Sequence, residues 1–204
     1  MKQKNFLFAL FMMLVLSATE TICVKQSVVD LQLAMRKLWE DHIVYTRNFI
    51  ISDIANLGDK GPVAQRLLQN QDDIGNAIKP YYGNKIGNKL AELLREHILI
   101  AVNVVDDAIA GNTQKFEEDY EAWEDNARDI AKFLHRINKK NWSKKELKEM
   151  LFTHLELTTD EVTARLNEDW EADIAAYDEN HTHMLQFSDV LTFGIVEQFP
   201  KKFD

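Results

Sequence analysis

The stretch from Asn70 to His97, NQDDIGNAIKPYYGNKIGNKLAELLREH, decides how the chain folds. Ile74 and Ile78 continue an apolar face begun by Val63 and Leu67, with Asn70 or Gln71 on the same side, so a helix approaches Pro80 from the amino-terminal side. Proline has no N–H, clashes with the preceding turn and pushes Lys79 out of helical geometry. The helix is therefore expected to break over Lys79–Gly83. A second helix, from about Asn84 to Ala110, then buries Leu90, Leu94, His97, Ala101, Val104 and Ala108. Two helices in succession, joined by a break and placing a histidine on an apolar face, point to an all-α bundle.

Outward from this stretch the same period recurs. Leu31, Met35, Leu38, His42 and Phe49 share one helical face before Gly58, and Pro62 suits the first turn of the next helix. After Gly111, Phe116, Tyr120, Trp123, Ala127, Ile130 and Leu134 form a stripe without a titratable side chain, which reads as core. Ser143-Lys144-Lys145-Glu146 has the form of a capping box opening a short helix that presents Leu147, Met150, Leu151 and His154. Thr158-Thr159-Asp160-Glu161 has the same form and is expected to open the last, long helix, running to about Gln198 with Trp170, Asp173, Tyr177 and Met184 inward. With 7 glycines and 3 prolines in 204 residues, turn-rich β architectures are disfavoured. No internal repeat or linker is visible in the sequence. The expected architecture is a single all-α bundle of five or six helices over residues 28–204.

The opening residues, MKQKNFLFALFMMLVLSA, place Lys2 and Lys4 before an apolar run from Phe6 to Leu16. This is the plan of a secretory signal peptide over 1–18, followed by a short tail over 19–27, and the run is too short for an ordinary membrane span. The expected location is secreted or periplasmic, with no stable membrane span after cleavage. Cys23 follows Glu20-Thr21-Ile22 rather than a small residue, which argues against a lipid anchor, and as the only cysteine it forms no internal disulfide. The formal charge of −9 becomes −11 once Lys2 and Lys4 are removed, which disfavours nucleic acid and anionic membrane as partners. Lys139, Lys140, Lys144 and Lys145 read as a solvated turn.

Several phrases together resemble a group of small all-α bacterial proteins: Leu38-Trp39 with His42 and Thr46-Arg47, Arg66-Leu67-Leu68 with Asn70, Gly75-Asn76-Ala77 through Pro80-Tyr81-Tyr82-Gly83, Glu96-His97, His154-Leu155, Tyr177-Asp178, and the closing Gln198-Phe199-Pro200-Lys201-Lys202-Phe203. Members of that group carry labels such as acetylglutamate kinase or glycosyltransferase, and the resemblance brings no established mechanism. The chain has no glycine-rich phosphate loop and no alternation of strands and helices to build a nucleotide-binding sheet.

The chemistry-bearing residues are His42, His97, His154 and Asp173, each at the centre of an apolar helix face. Helical bundles build metal sites from one inward ligand per helix, and imidazole with carboxylate suits zinc, iron or manganese. If the last hairpin turns near Thr158, His154 and Asp173 lie at different heights, so at most one of them joins His42 and His97. A turn at Gly111 puts His97 level with Trp123 to Ala127. Asn70, Tyr81, Tyr82, Asn126 and Tyr177 are candidates for a ligand pocket, and Arg47 and Arg165 for carboxylate anchors. Glu-x-x-His pairs and a His-Glu-x-x-His motif are absent, as is any glycine elbow for a nucleophile. Two functional classes follow. One is an exported bundle binding a divalent transition metal or small ligand at an internal polar pocket near the Pro80 break. The other is a non-catalytic envelope interaction or scaffold protein whose inward histidines are satisfied core groups.

Overall fold

The structure, a computed structural model, describes residues 25–204; the expected signal peptide and Cys23 lie outside the described residues. Six α-helices follow one another without a strand among them: α1 (Gln26–Ile54), α2 (Lys60–Tyr82), α3 (Asn84–Ala110), α4 (Thr113–Ile137), α5 (Lys144–Leu166) and α6 (Trp170–Gln198), with a 3₁₀ turn over Pro200–Lys202. Each helix packs on the next, and α1 packs on α6. The six helices thus form a closed ring of three antiparallel hairpins. One large core fills it, from Met35 on α1 through Ile74, Leu90, Ile130 and Leu155 to Phe187 on α6.

The turns explain where each helix stops. Gly83, at φ 81° and ψ 166°, is the single residue between α2 and α3, a conformation open to glycine and costly for other residues. Pro80 sits in the last turn of α2, and the helix runs two residues beyond it to Tyr82. The interruption expected at Pro80 is therefore made at Gly83. Gly111, at φ 65°, closes α3, and Asn112 caps α4 by accepting from the Lys115 N–H at 3.2 Å.

The expected helix start at Thr158 is corrected. Both threonine hydroxyls bond back along the helix, Thr158 to the His154 carbonyl at 2.8 Å and Thr159 to the Leu155 carbonyl at 2.9 Å. A capping-box pattern therefore lies in the middle of α5, where the N–H groups ahead of the threonines are already bonded to carbonyls one turn earlier and need no side-chain cap. The turn falls at Asn167–Asp169, where Glu168 takes φ 59° and the Asp169 carboxylate caps the Ala172 N–H at 3.1 Å. Trp170, expected inward, is 51% exposed at the start of α6.

The end of the bundle opposite these hairpin turns is closed by the tail. Phe203 is buried, stacks on Tyr81 with ring centroids 5.7 Å apart, and its carbonyl accepts from Ser27 Oγ at 3.1 Å. Trp142, in the α4–α5 turn, is buried against Gly194 and donates its indole N–H to the Val190 carbonyl at 3.1 Å. A Cβ on Gly194 would collide with the Trp142 indole nitrogen. Gly194→Ala is expected to displace Trp142 and destabilise the fold by about 1–3 kcal/mol. Urea unfolding measures this, and an unchanged midpoint would show that the indole is not held there.

Candidate functional site

Three hairpins place three histidines in one layer. His42, His97 and His154 lie 12, 13 and 12 residues before the last residues of α1, α3 and α5, namely Ile54, Ala110 and Leu166. Each is therefore about 18–20 Å from the hairpin-turn end. The partner helix of each hairpin supplies a carboxamide at the same height: Gln71 on α2 meets His42, Asn126 on α4 meets His97, and Asn180 on α6 meets His154. The imidazoles are buried, at 2%, 3% and 2% exposure. His154 touches both others, with ring centroids 5.5 Å from His42 and 5.9 Å from His97.

Main-chain carbonyls and the Trp123 indole, whose roles as acceptor or donor are fixed, determine where the protons lie. Asn70 Nδ2 donates to the Leu38 carbonyl at 2.9 Å, which leaves Asn70 Oδ1 as an acceptor. Gln71 Nε2 donates to the Leu67 carbonyl at 2.8 Å and to Asn70 Oδ1 at 3.1 Å, and shares its hydrogens with His42 Nδ1 at 3.3 Å. His42 Nδ1 is therefore an acceptor, and the ring proton sits on Nε2. That Nε2–H faces His154 Nε2 at 3.5 Å, so His154 carries its proton on Nδ1 and donates to Asn180 Oδ1 at 2.8 Å. Asn180 Nδ2 donates to Thr158 Oγ1 at 3.0 Å, and the Thr158 hydroxyl donates to the His154 carbonyl at 2.8 Å. From Gln71 onward every link donates in the same direction, ending on the His154 carbonyl, while Gln71 itself also donates back to the Leu67 carbonyl. The weak points of this relay are the 3.5 Å histidine contact and Gln71 Oε1, which is buried without a partner.

His97 is held separately. The Trp123 indole can only donate, and it donates to His97 Nε2 at 3.1 Å. His97 Nδ1–H then donates to Asn126 Oδ1 at 2.9 Å, and Asn126 Nδ2 donates to the Leu93 carbonyl at 3.1 Å. All six ring nitrogens of the three histidines thus face a polar protein group, with the contacts of His42 the longest, 3.3 Å to Gln71 Nε2 and 3.5 Å to His154 Nε2.

Beside the rings lies a small cavity lined by Thr46, Phe49, Leu67, Ile98 and Val105 as well as the histidines. It offers ≈ 20 Å³ to the centre of a water-sized sphere, space for roughly one water or one ion. Among the described residues, no group of three His, Cys, Asp or Glu side chains is placed to hold a metal ion.

The other expected site residues lie elsewhere. Asp173 is buried nearer the hairpin-turn end, where Arg47 contacts it at 2.8 and 3.1 Å and Arg165 at 2.8 Å. Arg47 also reaches Glu161 at 2.7 Å and lies over the Tyr177 ring, 4.6 Å from its centroid. Two guanidinium groups and two carboxylates form a charge-balanced cluster joining α1, α5 and α6, which accounts for Asp173, Tyr177, Arg47 and Arg165 without a ligand. Tyr81 and Tyr82 pack against Phe199 at the opposite end, not at the histidines. Asn70 and Asn126 do belong to the histidine layer. Gln71, Trp123 and Asn180 were not read as site residues from the sequence, although the equal height of a hairpin's two helices could have pointed to them.

A scan of family models, a search of curated proteins and a search of solved structures each give no match.

Burial holds all three imidazoles below the ordinary histidine range: His97 at about 3, His154 at about 4, and His42 well below it, where His154 and His97 add to the effect. Folded-state values below the unfolded value of about 6.5 mean that this stability is complete above about pH 6.5 and is lost as pH falls toward the folded values. Burial, opposed by Arg47, pushes Glu161 up to about 7. Its contribution has the opposite sign, being present at low pH and lost as pH rises through about 7. Three histidines against one carboxyl leave a net uptake of about two protons on unfolding near pH 5.5. His97 and His154 each remove on the order of 2 kcal/mol at pH 5. Denaturant unfolding between pH 7 and 5 measures the slope, and a flat profile would show that these imidazoles are not buried neutral.

Proposed function

We propose that this chain is an exported, non-catalytic helical-bundle protein of the cell envelope that acts through interaction, with its three inward histidines serving as structural core groups. The observation that carries this reading is that every ring nitrogen faces a polar protein group, along a path from the Leu67 and Leu38 carbonyls through His42 and His154 to the His154 carbonyl. A catalytic or ligating imidazole needs a nitrogen free to meet its substrate or ion. Here each nitrogen already faces a protein group in a buried layer. The sequence supports export through the plan of residues 1–18.

One observation favours the second reading, a metal- or small-ligand-binding pocket. His42 Nε2 and His154 Nε2 are 3.5 Å apart, close to the separation of about 3.3–3.4 Å expected for two imidazoles on one tetrahedral zinc ion. The carboxamide behind His154 is also the kind of partner that orients a ligating histidine. Binding at His42 Nε2 would, however, move its proton to Nδ1, against the Gln71 N–H group. His97 would have to leave Trp123.

Elemental analysis of protein purified without a histidine tag distinguishes the two. We expect no stoichiometric transition metal and no change in melting temperature on adding chelator. Near-stoichiometric zinc, iron or manganese in the parent, lost in His42→Ala/His154→Ala, would overturn the structural reading and establish the metal site.

A further inference from the structure

The formal charge of −9 hides a separation of charge along the bundle axis. At the hairpin-turn end, residues 53–60, 106–119 and 165–173 carry eleven carboxylates against three basic side chains. At the opposite end, Lys25 with residues 79–85, 138–149 and 197–204 carry ten lysines against four carboxylates. Lys85, Lys139, Lys140, Lys144 and Lys201 there are exposed and form no ion pair among the described residues, whereas Lys25 and Lys145 are paired with Asp204 and Glu149. Helices of 23–29 residues separate the two ends by roughly 35–45 Å at 1.5 Å per residue. The screening length is about 10 Å at 0.1 M salt. A surface touching the lysine end is therefore screened from the acidic end, and the net charge of the chain does not describe what that surface meets.

We propose that the lysine-rich end of the bundle docks on an anionic lipid surface. Two independent observations converge on this occupant. The charge is complementary and presented by exposed side chains from the α2–α3 turn, the α4–α5 turn and the tail. The chain also enters the bundle at this same end: α1 starts at Gln26, and the sequence leading into it carries the apolar run Phe6–Leu16. A chain delivered to a bilayer by that run arrives with Lys25 and its neighbouring lysines first. Several lysines close to a surface of anionic headgroups each add to the attraction, and the sum falls steeply with salt. The inference rests on the envelope reading only in naming a membrane as the surface at hand. It sets the local charge of this end against the repulsion expected from net charge.

Flotation of the full chain with phosphatidylglycerol-containing vesicles and with pure phosphatidylcholine vesicles tests it at about 0.1 M salt. Lys2 and Lys4 ahead of the apolar run also favour the anionic vesicles, and that share is common to the parent and to every variant. We expect binding about tenfold tighter or more on the anionic vesicles. That difference should fall severalfold in Lys139→Gln/Lys140→Gln/Lys144→Gln/Lys201→Gln, with circular dichroism showing the variant folded, and be kept in a Lys37→Gln/Lys115→Gln control. Equal binding to both vesicles, an equal loss in the control, or equally tight binding to double-stranded DNA would overturn the proposal. An intact chain recovered from the cytoplasm would overturn export and leave the vesicle result standing.

Discussion

The fixed polarity of main-chain carbonyls is the constraint on which the centre of this bundle depends. A buried imidazole can be neutral in two tautomers, and nothing in the ring itself selects one. Here the selection comes from the backbone: Leu38 and Leu67 fix Asn70 and Gln71, these fix His42, and His42 fixes His154. At the far end Thr158 and Asn180 demand the same answer. Agreement from both ends makes the layer a single arrangement rather than a set of interchangeable contacts. Leaving a buried donor or acceptor unmet costs about 1–3 kcal/mol, so a conflict at any link would be felt across the network.

The ring of three hairpins makes this layer possible. Each hairpin brings a histidine and a carboxamide to the same height because its two helices start from a common turn. The same topology collects the turns at one end and the termini at the other. Acidic turn sequences and lysine-rich connections then fall on opposite ends of the bundle. Internal order and external charge separation therefore share one cause, the up-and-down path of the chain.

Much of the fold was legible because helix period and turn residues agree over most of the sequence. Gly111 marks its turn plainly, and the height it sets for His97, level with Trp123 to Ala127, is where Trp123 and Asn126 meet that ring. Thr158-Thr159-Asp160-Glu161 misled because a capping box and a mid-helix threonine pair satisfied by earlier carbonyls share the same letters. The turn actually used, Asn167-Glu168-Asp169, contains neither glycine nor proline. Moving the turn by about ten residues along the chain changes which residue stands opposite His154, from none recognised to Asn180. Trp123 was read as plain core because periodicity reports burial and says nothing of an indole N–H. The grouping of His42 with His154, rather than with His97, depends on how the ring closes through α1 and α6, which no local pattern reveals.

The central claim concerns the placement of protons, and long-range ¹H–¹⁵N NMR of histidine side chains at pH 7 reads it directly. His42 should appear as the neutral Nε2–H tautomer, and His97 and His154 as neutral Nδ1–H tautomers, all three persisting at mildly acidic pH. An Nδ1–H tautomer at His42, or an imidazolium at any of the three, would contradict the relay and remove the basis for treating these histidines as structural.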